Sequence, residues 1–232
     1  MPDRLKPLSF TEREKLRFIR WVLLLINAAE AAGIGALRRE HLHSLLFLSF
    51  ASSSFYGIRP LRLRANRTPH GPYYRQAHVA LGLLAMSDLV DVRRFEPHQS
   101  DDNTFQFEGT FGATLDGLTV GRVLREAPQG DRLYRYLLDL CLGTVTAALE
   151  DRPENDPKSR ERMDKVFTGD LTYQQALARP TQMLFVDDGE PGSVTPTTVR
   201  LTRISDRLSK RVNVNRRDVL GVYQKMLAER QI

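Results

Sequence analysis

Two histidines two residues apart, His41 and His43, and a carboxylate run, Asp187, Asp188 and Glu190, are the first candidates for metal chemistry in this chain. Neither pattern supports a site. The histidines fall in a stretch with helical periodicity, where positions i and i+2 point to nearly opposite sides and cannot share one ion. The carboxylates are flanked by Gly189, Pro191 and Gly192, residues that build a solvated turn. The single cysteine, Cys141, sits in the apolar run Leu137–Leu142 and reads as a small buried hydrophobe. There is no glycine loop of the P-loop kind and no Gly-x-Ser-x-Gly elbow. A non-enzymatic chain without metal or cofactor is therefore expected. The catalytic alternative is an unfamiliar nuclease using Asp187 or Asp188, since catalytic constellations are defined by geometry rather than by order in the chain.

The basic residues say more. Between Gly57 and Arg75 lie Arg59, Arg62, Arg64, Arg67 and Arg75, with no acidic residue among them. Such a surface suits a phosphate backbone, and counterion release would make the contact salt-sensitive. Farther on, Arg200, Arg203, Arg207, Lys210 and Arg211 fall at i, i+3, i+7, i+10 and i+11, one stripe along a helix. Leu201, Ile204 and Leu208 form the adjoining apolar stripe, and Arg216 and Arg217 extend the charge past a bend. This ridge suits DNA backbone or an acidic protein groove.

A third pattern concerns the helix expected to begin near Pro72 and run to Met86. Tyr74, Ala77, Leu81 and Leu84 form an ordinary core stripe. A base-reading helix needs polar side chains on its other face, where only Arg75, Gln76 and His78 could serve. Val79, Gly82, Leu83 and Met86 instead make a second apolar stripe at i, i+3, i+4 and i+7. Burial on both sides is expected, by the chain itself or by a partner helix on Val79, Leu83 and Met86. Sequence-specific major-groove reading is disfavoured.

The elements that must position these residues follow from periodicity and caps. Thr11 with Glu14 is a capping box opening a helix that stops at Gly33. A second helix is expected over Arg38–Phe55, a short strand over Leu61–Arg64 and a loop over Asn66–Gly71. After the third helix, Leu89–Phe95 and Phe105–Glu108 read as a hairpin about a turn from Pro97 to Asn103. This order is that of a winged helix-turn-helix. The later half reads as helices over Asp131–Leu149, from Pro157, over Asp170–Ala178, from Thr195-Pro196 and from Asn215, whose inward face would be Val219, Val222, Tyr223 and Met226. Glu150–Asp156 is a loop, and Gln182–Val186 is a lone strand. The expected class is α+β, mainly α: a winged-helix-like domain over 1–115 and a helical domain with a basic tail over 116–232.

Composition agrees with a globular chain. Its 232 residues are 41% hydrophobic and 27% charged, with a formal net charge of +6 that hints at anionic partners. The longest apolar run, Trp21–Ile26, is too short to span a bilayer, and no signal layout opens the chain. A cytoplasmic protein with no membrane contact is expected.

Several segments also carry a family likeness. Asn27–Ile34, His41–Phe47, His70–Tyr74, Leu81–Val90, Leu171–Ala176 and Thr195–Thr198 together resemble the small middle component of bacterial ABC-three-component systems, the Lamassu-type antiphage defence operons. Where a glycine would usually precede the Leu-Val of the wing, this chain has Asp88. The resemblance implies a non-catalytic subunit seated on an SMC- or Rad50-like ATPase beside a nuclease-type effector. It carries over no catalytic residues. Three readings follow: an adaptor subunit of such a complex, in non-specific contact with double-stranded DNA or acidic protein surface; a free-standing winged-helix regulator or antitoxin; and the unfamiliar nuclease.

Overall fold

Thr11 and Glu14 cap each other's backbone N–H groups, and from this box helix α1 runs over Glu12–Ala31. Its stretch Trp21–Ala29 is buried on every side, so α1 is the axis about which the rest packs. The computed structural model describes residues 11–61, 63–68, 71–99, 105–149, 157–179, 183–185 and 194–229.

A two-residue strand β1 (Leu37–Arg38) leads into α2 (Arg39–Ser52), and a 3₁₀ turn (Ser53–Tyr56) closes on Gly57 in the left-handed region. The second helix is thus shorter than the expected Arg38–Phe55. Residues expected as a loop pair instead: β2 (Arg64–Thr68) and β3 (Gly71–Tyr73) are antiparallel, with Arg67 opposite Pro72. The strand assigned to Leu61–Arg64 therefore begins only at its last residue. The third helix starts at Arg75 rather than near Pro72, and α3 covers Arg75–Met86. Strand pairing decides this, because Pro72 sits in β3, where its missing N–H costs no ladder bond at a sheet edge.

The hairpin is longer than its alternation suggests. β4 (Val90–Gln99) pairs with β5 (Phe105–Ala113), with an irregularity between Arg93 and Glu96. β1 adds to the far side of β5, giving the order β1-β5-β4. Asp88 takes a left-handed backbone at φ 55°, the conformation a glycine would adopt most easily. Thr114 Oγ1 donates to the Asp88 carbonyl and Thr114 N to that of Leu89, fastening the turn after α3 to the start of α4 (Leu115–Glu126). Sequence reading left α4 unassigned.

The remaining elements are α5 (Pro128–Leu149), α6 (Pro157–Thr168), α7 (Leu171–Ala178), β6 (Met183–Phe185), α8 (Pro196–Leu208) and α9 (Arg216–Ala228). β6 is not a lone strand: it pairs with β2, completing the order β3-β2-β6. The inward face of α9 is Val219, Leu220, Tyr223, Gln224 and Leu227, while Val222 and Met226 lie on its exposed flank. The molecule is mainly helical, with two small antiparallel sheets among the described residues.

Packing runs across the expected division at residue 115. Trp21 Nε1 of α1 donates to Ser49 Oγ of α2 (2.9 Å), and Tyr136 of α5 donates to the Ser49 carbonyl (2.6 Å). Buried apolar residues from α1, α2, α3, α5 and α9 belong to one cluster. No described helix is long and apolar enough to cross a membrane.

Candidate functional site

The start of α3 is held from inside. Tyr74, fully buried, stacks edge-on against Phe50 (5.7 Å between centroids), and Phe50 in turn packs on Trp21 (5.1 Å). The Tyr74 amide donates to His43 Nδ1 at 3.1 Å. Burial and the neighbouring His78 push the His43 imidazole down to about 3, so the ring is neutral and its Nδ1 lone pair is free to accept. His41 faces elsewhere, against Phe167 of α6, as their i, i+2 spacing predicted. Among the described residues no group of three His, Cys, Asp or Glu could hold a metal ion. Asp187, Asp188 and Glu190 lie outside the described residues. Cys141 is buried, and burial pushes its thiol up to about 12.

With one face of α3 locked down through Ala77, Ala80, Leu81 and Leu84, the other faces outward. Val79 is 62% exposed, Leu83 48% and Met86 89%. Of the two expected ways of burying this stripe, cover by the chain itself is excluded and cover by a partner is left: one face of a helix cannot meet the core while its opposite also does, unless a second layer is laid over it. Leu115, 84% exposed, begins α4 just beyond the turn that Thr114 fastens to the end of α3. Apolar side chains thus stand in solvent on both sides of that turn.

The basic ridge lies where its spacing puts it, up to a point. Leu201 and Ile204 are buried under α8, Arg203 and Arg207 are exposed and Arg200 is half-buried. The helix ends at Leu208, so Lys210 and Arg211 occupy the following turn rather than a further helical step. Arg216 is tied inward: it donates to the Tyr56 carbonyl at 3.4 Å and lies 6.0 Å from the Phe55 ring. Arg217 is exposed at the start of α9.

What holds the ridge in place is Asp170, which sequence reading passed over. Its carboxylate is buried and accepts from Thr172 N (3.0 Å) and Tyr173 N (3.1 Å) of α7, Thr197 Oγ1 of α8 (2.7 Å) and Tyr223 OH of α9 (3.1 Å). One side chain therefore caps α7 and binds α8 and α9 to it. Burial raises the Asp170 carboxyl above the usual aspartate range, against the pull of all four bonds. The cap was legible as an aspartate before a helical run; the other two partners were not.

The described members of the first arginine group are divided among the chain before β2, β2 itself and α3. Arg59 faces α1, Arg67 donates to the Leu177 carbonyl of α7 at 3.3 Å, and Arg75 opens α3. Arg64 is half-buried in β2, and Arg62 lies outside the described residues. Arg59 has neighbours that sequence reading missed: Arg13, Arg17 and Arg20 of α1, at i, i+4 and i+7, and Arg132 of α5 line the same cleft. Their helical spacing was the available signal. No family model, curated protein or solved structure matches the chain.

Proposed function

We propose that this chain is a non-catalytic adaptor subunit of a bacterial SMC/Rad50-like ATPase antiphage complex, bridging the ATPase and a nuclease-type effector in the cytoplasm. The reading requires a partner helix over the outward face of α3, because Val79, Leu83 and Met86 stand exposed on a helix whose other face is locked to the core and the chain itself does not supply the burial that their pattern called for. Base edges offer hydrogen-bonding groups, to which such a face has nothing to give; a partner helix would bury it. The strand order β1-β5-β4 around α1, α2 and α3 supports a winged-helix-like half. In it the inserted 3₁₀ turn and β2–β3 pair replace the short turn of a helix-turn-helix. The ATPase and the effector come from the family resemblance alone. The exposed arginines of α8, Arg203 and Arg207, favour an additional, non-specific contact with DNA backbone or acidic protein.

Copurification from the native operon tests the proposal. Wild-type chain should bring down a coiled-coil ATPase, and Leu83→Glu should release it while changing stability by no more than about 0.5 kcal/mol, as befits a surface change. A chain recovered alone, or complexes indifferent to Leu83→Glu and Met86→Glu, would overturn it. The free-standing regulator instead requires an operator preferred at least about a thousandfold over random duplex, which binding to native and shuffled upstream DNA measures.

A further inference from the structure

The cleft beside α1 has a charge that its structural role does not explain. Arg13, Arg17 and Arg20 line one wall, Arg59 and Arg132 the other, and its volume is about 690 Å³. Glu14 is the one carboxylate among the described lining residues, and its Oε2 accepts from the backbone N–H and hydroxyl of Thr11 in the capping box. Among the described residues no ion pair neutralises Arg13, Arg17, Arg20 or Arg59. Arg20 Nε is buried with no hydrogen-bond partner. Burial and the positive charge of Arg20 and Arg59 depress the Arg17 guanidinium. The charge of Glu14 offsets Arg17 and Arg59 only in part, and five guanidinium groups beside one carboxylate store repulsion that an anion would relieve.

The far wall is built to keep one guanidinium in place. Gly57, left-handed at φ 68°, leaves room for Arg132, whose Nη2 would lie 2.6 Å from a Cβ at that position. Arg132 donates to the Tyr56 carbonyl at 2.8 Å, which orients its fork. Trp21 is buried and its indole N–H is given to Ser49, so it offers no stacking platform for a base. The volume lies within the roughly 300–1,000 Å³ range of small-molecule sites.

We infer that this cleft binds a small polyphosphate anion, gripping its phosphates between the α1 arginines and Arg59 and Arg132. Planar guanidinium forks match phosphate oxygens in pairs, which sets both affinity and geometry. The site is separate from the α3 face and does not depend on the adaptor reading.

Titration calorimetry of the full chain with inorganic tripolyphosphate and with ATP, beside anisotropy with a short duplex, tests the assignment. Both polyphosphates should bind, and Arg17→Gln and Arg59→Gln should each weaken them about tenfold, the loss of one charge-assisted contact. Equal affinity for the two makes the phosphate chain the ligand; tighter ATP binding shows that the nucleoside is read as well. Arg59→Gln removes an exposed like charge, so its unliganded Tm should be no lower than that of the wild type, which keeps folding apart from binding. The inference is overturned if neither polyphosphate binds, if both variants bind as the wild type does, or if the duplex binds and tripolyphosphate does not.

Discussion

Replacing Asp170 by alanine removes the one group that α7, α8 and α9 share. The carboxylate's two bonds to Thr172 N and Tyr173 N are a helix cap, and losing a cap costs about 1 kcal/mol. Thr197 and Tyr223 would each lose the acceptor of a buried hydroxyl, at about 1 kcal/mol or more apiece. Thr197 keeps an alternative in Thr172 Oγ1 at 2.7 Å, so its share lies at the low end. Removing a carboxylate whose burial already disfavours its charge returns part of the loss. The net is a destabilisation of about 2 kcal/mol, or a Tm lowered by about 4–8 °C in a chain of this size. Asp170→Asn keeps an oxygen for the cap and should cost only about 1 kcal/mol. Urea unfolding followed by circular dichroism measures both, and a cycle with Tyr223→Phe should return a coupling of about 1 kcal/mol. An alanine variant within about 1 kcal/mol of wild type, or an asparagine variant as unstable as the alanine, would refute the assignment of Asp170 as the common anchor.

His43 titrates near 6.5 when unfolded but near 3 in the folded chain, so the unfolded state gains its proton first as pH falls. Stability should therefore drop as pH falls below about 6.5, by about 3 kcal/mol at pH 4.5 from this residue alone. His43→Gln should remove that share in pH-dependent urea melts, while His78, also depressed by burial, keeps its own. Asp88→Gly should stabilise by about 0.5–1 kcal/mol, because φ 55° strains any side-chain-bearing residue; a loss in thermal melts would show that the aspartate side chain matters more than its backbone. Gly143→Ala places a methyl into the buried Gln224 side chain and near Gly221 Cα at 3.5 Å, where α5 meets α9. Overpacking of this kind should cost about 1–3 kcal/mol by denaturant titration.

Local chemistry was legible from the residues themselves. Thr11 with Glu14, Thr195 with Pro196, and Asn215 each announced a helix start, because a cap is satisfied by atoms three residues away. The two stripes of α3 were legible for the same reason, since helical periodicity needs no distant partner. The chain alone could not say what covers Val79, Leu83 and Met86. Only the folded molecule decides that, and it leaves them uncovered. Nor could it pair Arg64–Asn66 with Met183–Phe185, bring Tyr223 to Asp170, or set Arg59 opposite Arg17. These contacts join residues far apart along the chain, and their energy appears only once the core around α1 has closed and water has left the space between them.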